Sequence, residues 1–176
     1  NTYSEEAFAI ALAHDLALIG VSDVHDLIDW DYRPHEGGHR PVTLVLARDK
    51  SLSALKEALF AKRTVVWFRN TLIGRAPELI PVLKASLTVS SLSYLQDTKV
   101  AQVTLSNRSD MDMALRYTGE HSLMFSADRI TVPAHSEARI QVKPGAVVDT
   151  LELPFVVENA LTAPKQNPTI TLISTQ

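Results

Sequence analysis

The chain has 176 residues, of which 45% are hydrophobic and 21% are charged, the balance of an ordinary globular protein with one large domain or two small ones. Its formal net charge of −3 argues against a dedicated nucleic-acid-binding protein, because such proteins need a basic surface to displace counterions from phosphates. The sequence contains no cysteine, which excludes disulfides, thiolate nucleophiles and cysteine-based zinc sites. No apolar run approaches the roughly 20 residues that a membrane-spanning helix needs. Cytoplasm and periplasm fit these properties equally, and any signal peptide is expected upstream of residue 1.

Residues 1–87 alternate between helical and strand patterns. Apolar residues at helical spacing follow two serines that are good helix N-caps, and short apolar runs separate these helices. In chain order the predicted elements are a helix capped by Ser4, a strand buried on both faces over 16–21, a strand over 42–47, a helix capped by Ser51, a strand over 64–68 and a helix over about 77–85. The α-β-β-α-β order is typical of an α/β layer or barrel.

This first region is too short to close a barrel. It supplies only three or four strands, whereas an α/β barrel needs roughly 250 residues. We therefore expect residues 1–87 to be the carboxyl-terminal part of a larger barrel, whose missing amino-terminal elements lie upstream or in a partner.

From Leu87 onward the hydrophobic period is two. Apolar residues alternate with polar ones in four clear series, separated by turn residues. The inward positions of these series are Ala101, Val103 and Leu105; Ala138, Ile140 and Val142; Leu151, Leu153, Phe155 and Val157; and Ile170 and Leu172. Six to eight short strands over 88–176 predict an all-β, immunoglobulin-like sandwich. The Cys–Trp–Cys pattern of true immunoglobulin domains is absent, so the prediction concerns the architecture alone.

The most informative motif follows the first predicted strand. The stretch Gly20-Val21-Ser22-Asp23-Val24-His25 places a carboxylate and an imidazole two positions apart at the strand's carboxyl end. In a strand, residues i and i+2 point to the same side. The pair is a natural part of a first coordination shell for Zn²⁺, Mn²⁺ or Fe²⁺. The alternative is an aspartate in a turn with a surface histidine beside it.

The same stretch resembles the "G-S-D-x-H" motif near the end of PHP (polymerase and histidinol phosphatase) domains. The strand over 42–47, the helix from Ser51 to Arg63 and the strand over 64–67 resemble the family's closing strand, its "S-x-x-A-x-K-E-A-L-x-A-x-R" helix and the strand after it. The combination is similar to bacterial PHP phosphodiesterases with a carboxyl-terminal β-domain. It covers roughly residues 4–87, and 88–176 contain no specific family motif.

The resemblance implies that Asp23 and His25 are metal ligands at the mouth of a distorted seven-stranded barrel that hydrolyses phosphate mono- or diesters. The family's His-x-His motif, its bridging Glu and its middle histidines are absent from this sequence. Two ligands cannot hold the family's metal cluster, so the complete protein is expected to bind a divalent metal and this chain alone is expected to be inactive.

The loop over 26–40 is longer than typical connections, and such loops are often functional. Arg40 and Arg33 are candidate phosphate ligands, because a guanidinium matches a phosphate bidentately. Trp30, together with Tyr32, is a candidate wall of the substrate pocket. The alternative is a solvated loop anchored by its aromatic residues.

Two histidines in this loop, His35 and His39, have the i, i+4 spacing that on a helix would suit a metal. Pro34 and the Gly37–Gly38 pair make a helix there unfavourable. We therefore expect neither histidine to be a metal ligand.

Two functions remain in competition. In the first, the chain is part of a metal-dependent phosphoesterase, and its partners are a phosphate-ester substrate and the missing part of the barrel. In the second, it is a non-catalytic interaction module, which would need an exposed apolar or aromatic patch on the sandwich. The few aromatic residues after 87 weaken the second hypothesis: Tyr94, Tyr117, Phe125 and Phe155. The β-domain is expected to stabilise the barrel, and a homo-oligomer is a further partner that the sequence allows.

Overall fold

The computed structural model describes residues 3–124 and 127–175, so Phe125 lies outside the described residues. The chain forms two compact units. The first comprises the residues up to Leu79 together with Ala160–Gln166. The second comprises Ile80–Asn159 and the residues from Asn167 onward.

Helices in the first unit begin where the sequence predicts. Helix α1 (Glu5–Ala13) follows Ser4, whose Oγ accepts a hydrogen bond from the Ala7 N–H at 3.1 Å. Helix α3 (Leu52–Phe60) follows Ser51, whose Oγ accepts from the Ala54 N–H at 3.2 Å. Both predicted N-caps are confirmed, since each serine satisfies a backbone N–H that has no partner within the helix.

A four-stranded sheet forms the centre of the first unit. Its strands are β1 (Val42–Val45), β2 (Thr64–Phe68), β3 (Thr71–Gly74) and β11 (Ala160–Leu161), in the order β1-β2-β3-β11. The first three pair antiparallel, whereas β11 pairs parallel with β3. A four-residue helix α2 (Ile28–Asp31) and a 3₁₀ helix (Pro34–Glu36) lie in the long loop before β1.

The strand predicted over 16–21 is wrong for the chain as it stands. No residue of this segment belongs to a strand, and Leu16, Ile19 and Val21 are 52%, 59% and 70% exposed. Side chains of other elements hold this segment, and it makes no ladder of backbone hydrogen bonds with a strand. Its apolar side chains therefore have no neighbouring strand to pack against and stay exposed. The α/β layer expected for residues 1–87 is likewise replaced by a largely antiparallel sheet with few helices.

Helix α4 (Ala76–Ser86) precedes a second region built of strands. The strands of the second unit are β4 (Leu87–Tyr94), β5 (Ala101–Asn107), β6 (Met113–Tyr117), β7 (Ser122–Met124), β8 (Arg129–Val132), β9 (Glu137–Lys143), β10 (Thr150–Val157) and β12 (Thr169–Thr175). They form two four-stranded antiparallel sheets, ordered β4-β5-β9-β7 and β12-β10-β6-β8. This confirms the predicted immunoglobulin-like sandwich.

The core of the sandwich follows the predicted alternation. In β10, Leu151, Leu153, Phe155 and Val157 are all at most 2% exposed, while the residues between them are more accessible. The other predicted inward positions in β5, β9 and β12 are buried in the same way, except Ala138, which is half-buried. Each such side chain contributes roughly 1.5–3 kcal/mol of burial free energy, so this alternation is the main support of the unit.

A buried asparagine joins three segments at one end of the sandwich. Asn107 is 2% exposed, and its Nδ2 donates to the carbonyl oxygens of Met111, Val132 and Pro133 at 2.7, 3.0 and 3.1 Å. Its Oδ1 accepts from the N–H and hydroxyl of Ser109. The side chain therefore satisfies backbone groups that strand pairing leaves open.

None of the helices within the described residues is both long enough and apolar enough to cross a lipid bilayer.

Candidate functional site

Asp23 and His25 lie side by side in the first unit. His25 Nε2 is 3.7 Å from Asp23 Oδ1. The side chain of His25 is 87% exposed and that of Asp23 is 92% exposed. The backbone of Asp23 has φ 54°, a left-handed conformation that aspartate tolerates better than most residues. The motif thus presents a carboxylate and an imidazole together in the open, although it does not continue a strand.

Hydrogen bonds fix the segment that leads to this pair. The Gly20 N–H donates to Thr43 Oγ1 at 2.9 Å, and the Thr43 hydroxyl donates to the Gly20 carbonyl at 3.0 Å. Arg75 donates to the carbonyl oxygens of Leu16 and Ala11 at 2.8 and 3.0 Å. Arg75 therefore anchors the backbone of this segment.

Tyr32 continues this anchoring on the other side of the motif. Its hydroxyl donates to the carbonyl of Ser22 at 3.0 Å, directly before Asp23. The long loop therefore holds the backbone next to the Asp-x-His motif.

An open concavity of about 520 Å³ lies beside the pair. It is lined by Ser22, Asp23, Asp31, Tyr32, Gly38, His39, Phe68 and Arg69. These residues come from three separate parts of the chain, namely the motif, the long loop and the β2–β3 hairpin. The fold therefore places Asp23 in the lining of an open, largely polar concavity.

Glycine shapes the loop that lines this concavity. A Cβ at Gly38 would lie 1.5 Å from the Tyr32 carbonyl oxygen, a backbone atom that cannot move aside cheaply. Gly37 has φ +83°, a conformation that side chains disfavour. The Gly37–Gly38 pair thus lets the loop fold back on Tyr32, whereas the sequence indicated only that it would prevent a helix.

The β2–β3 hairpin contributes Phe68 and Arg69 to the lining. Its two-residue tip follows Phe68, and Arg69 has φ 52°. The Arg69 N–H donates to His39 Nδ1 at 3.3 Å, and Trp67 Nε1 donates to the Arg69 carbonyl at 2.7 Å. His39 stacks at a tilt on Trp67 with ring centroids 4.2 Å apart.

Burial lowers the pKa of His39, and the nearby positive charge of Arg40 lowers it further. The hydrogen bond from the Arg69 N–H requires a neutral His39 ring, because Nδ1 can accept it only when Nδ1 carries no proton. His39 therefore connects the long loop to the hairpin tip.

The three predicted substrate ligands do not line the concavity. Arg33 forms an ion pair with Glu36 at 3.4 Å, Trp30 is 68% exposed, and Arg40 is exposed. The structure instead brings His39, Phe68 and Arg69 to the place where these ligands were expected. Recognising Leu72–Gly74 as the second arm of a hairpin would have pointed to Arg69 as its tip.

The metal expected for the complete protein needs more donors than this chain brings together. Within residues 3–124 and 127–175, no cluster of three or more His, Cys, Asp or Glu side chains is arranged to hold a metal ion. Asp23 and His25 are suitable donor types, yet a stable first shell needs at least three protein ligands. The residues present therefore do not by themselves make a metal centre.

Comparison with known proteins bears on both units. Residues 87–173 match a protein family described as an Ig-like domain. Among solved structures, the chain is similar to a two-domain protein from Bacteroides vulgatus ATCC 8482 that contains a predicted PHP-like metal-dependent phosphoesterase. The TM-score is 0.83 at 28% sequence identity, over 97% of this chain and 49% of that one. None of the curated proteins is significantly similar in sequence to the chain.

The chain is thus similar to a two-domain protein that contains a predicted PHP-like phosphoesterase. This confirms the resemblance predicted from the Asp-x-His motif and the helix after Ser51. The chain spans about half the length of that relative. The Ig-like sandwich fits a non-catalytic module.

Proposed function

We propose that the chain is the carboxyl-terminal part of a metal-dependent phosphoesterase, to which the first unit contributes Asp23 and His25 as metal ligands. The observation that carries the proposal is the pair itself. Its two side chains lie 3.7 Å apart, both almost fully exposed, and Asp23 lines the concavity of about 520 Å³. The similarity to a PHP-like protein supports this assignment.

The remaining ligands would come from residues outside this chain. Two observations favour such a completion. Among the described residues, the pair forms no group with a third His, Cys, Asp or Glu side chain that could hold a metal ion. In addition, Leu16, Ile19 and Val21 are more than half exposed on the segment that leads to the pair. Several exposed apolar side chains within one short segment are expected to be covered in the complete protein.

A partial PHP-type barrel follows from this proposal. The segment over 16–21 has the apolar composition of a strand buried on both faces, as parallel barrel strands are. In the complete barrel it would pair with strands that this chain does not supply, and the motif would then end a true strand. The metal would supply Lewis-acid activation of the phosphate ester.

The second unit has a separate role. Its described aromatic residues are already engaged, since Tyr117 and Phe155 are buried against each other and the Tyr94 hydroxyl donates to the Val148 carbonyl at 3.1 Å. We therefore assign the sandwich a stabilising, non-catalytic role. A homo-oligomer formed through it stays a prediction.

Mn²⁺ titration of the chain tests the ligand assignment. Even weak binding broadens the amide signals near a paramagnetic ion, and we expect broadening to be strongest over 22–26. Asp23→Ala and His25→Ala should each abolish this preference, whereas Asp26→Ala, which removes an exposed carboxylate outside the motif, should preserve it. Equal broadening in wild type and Asp23→Ala would contradict the assignment.

A further inference from the structure

Among the described residues that line the concavity, Arg69 is an arginine to which the metal-ligand proposal assigns no role. Arg69 is exposed and lines the concavity beside Asp23. No described carboxylate, over 3–124 and 127–175, forms an ion pair with it. By contrast, Arg33, Arg63 and Arg75 are each paired with a carboxylate in the same unit. A guanidinium without a carboxylate partner in a polar pocket is available to bind an anion.

The backbone that carries Arg69 is unusually well fixed for a hairpin tip. Its N–H is bonded to His39 and its carbonyl to the indole of Trp67, so both sides of the peptide are held by side chains. The guanidinium carbon also lies 5.0 Å from the centre of the Phe68 ring, within cation–π range. Preorganisation of this kind lowers the entropy lost when the side chain binds a ligand.

We propose that Arg69 is the oxyanion-binding residue of this concavity, and that it holds a phosphate group by a bidentate, charge-assisted hydrogen bond. The inference deepens the proposed function and rests on it, because it names the group that would bind the substrate's phosphate in the concavity that Asp23 lines. Planar guanidinium groups match two phosphate oxygens, which an ammonium group does not. Arg69 takes the role that the sequence suggested for Arg40 and Arg33.

The charges around Arg69 set the expected strength of this interaction. Asp23 and Asp31 line the same concavity, and their carboxylates repel an anion. Inorganic phosphate should therefore bind the metal-free chain only weakly, on the order of millimolar. Neutralising one carboxylate should strengthen binding.

The experiment is a titration of the ¹⁵N-labelled chain with inorganic phosphate at constant ionic strength. We expect saturable shifts of the Arg69 amide and Nε–H signals. Arg69→Gln should weaken binding by at least about fivefold, and Arg69→Lys should retain part of it because it keeps the charge without the fork. Arg48→Gln is the matched control, since it removes an exposed arginine of the same unit that does not line the concavity and should change binding by less than about twofold.

Two results would overturn the inference: phosphate binding unchanged in Arg69→Gln, or no saturable shift of Arg69 in the wild-type chain. Arg69→Asn gives a second variant that suits the left-handed backbone of this position, so loss of binding can be separated from a disturbed hairpin. Because this readout needs no metal, Asp23→Ala should bind phosphate at least as well as wild type. If the wild-type chain shows no preferential Mn²⁺ broadening over 22–26 but still binds phosphate, the result contradicts the proposed metal site and leaves the role of Arg69 standing.

Discussion

Thr43 connects the sheet to the segment that carries the Asp-x-His motif, and replacing it with valine tests that connection. The hydroxyl of Thr43 makes two hydrogen bonds to Gly20, one as acceptor and one as donor. Valine has the same shape and a similar strand preference, so Thr43→Val removes the two bonds with little change in packing.

The structure provides a matched control in the neighbouring strand. Thr64 is 1% exposed, and its hydroxyl has no hydrogen-bond partner among the described residues. Thr64→Val therefore removes a buried, unsatisfied group and should be neutral or stabilising by about 1 kcal/mol. Thr43→Val should destabilise the first unit by about 1–3 kcal/mol, because each of two partly buried hydrogen bonds contributes about 0.5–1.5 kcal/mol.

Urea unfolding followed by tryptophan fluorescence measures this difference, since Trp30 and Trp67 both lie in the first unit. Hydrogen exchange at the Gly20 amide gives a local check, and protection there should fall about tenfold for each 1.4 kcal/mol lost. Equal unfolding midpoints for Thr43→Val and Thr64→Val, with unchanged protection of Gly20, would refute the view that Thr43 holds the motif in place.

Two further predictions follow from the buried polar groups. The lowered pKa of His39 means that the unfolded chain binds its proton more readily than the folded one, so stability should fall as pH drops from about 6.5 towards the lower folded value. Urea unfolding at several pH values should show this slope in the wild type and a smaller slope in His39→Asn, and identical slopes would contradict the role of His39. In the sandwich, Asn107→Ala removes the side-chain donor from the Val132 and Pro133 carbonyl oxygens and one of two donors from that of Met111, and it should cost about 2–4 kcal/mol. An unchanged midpoint in thermal unfolding followed by circular dichroism would show that water replaces the side chain fully.

The parts of the fold that the sequence predicts are those set by local chemistry. Ser4 and Ser51 cap helices because the groups they satisfy lie three residues away. The strands of the sandwich follow from a two-residue period that appears wherever one face of a sheet is buried. The strand prediction for 16–21 was wrong because hydropathy indicates which side chains a strand would bury. It does not indicate whether a neighbouring strand is present to pair with it.

Non-local pairing explains the other differences. Strand β3 contains only four residues, which is too few for its periodicity to stand out, and it is recognisable mainly as the return arm of a hairpin. Strand β11 is two residues long and follows β10 of the sandwich, yet it pairs with β3. No short-range pattern indicates such a pairing.

The residues of the candidate site also differ in how far the sequence predicts them. Asp23 and His25 are two residues apart, so one motif reveals both. Arg69 reaches the same concavity from about 45 residues further along the chain, and its position depends on contacts with His39 and Trp67 that form only in the fold. Arg33 was a reasonable candidate by residue type, and the structure places it in an exposed ion pair with Glu36, outside the lining of the concavity.

The most direct test of the proposed phosphoesterase is the metal content of the full-length polypeptide that carries this chain. Mass-spectrometric metal analysis of the purified wild type should find stoichiometric Zn²⁺, Mn²⁺ or Fe²⁺, with hydrolysis of a generic phosphate ester. Asp23→Ala should lose metal and activity together, while Asp26→Ala should keep both. Full metal occupancy and unaltered hydrolysis in Asp23→Ala would contradict the proposal that this chain supplies ligands to the metal site.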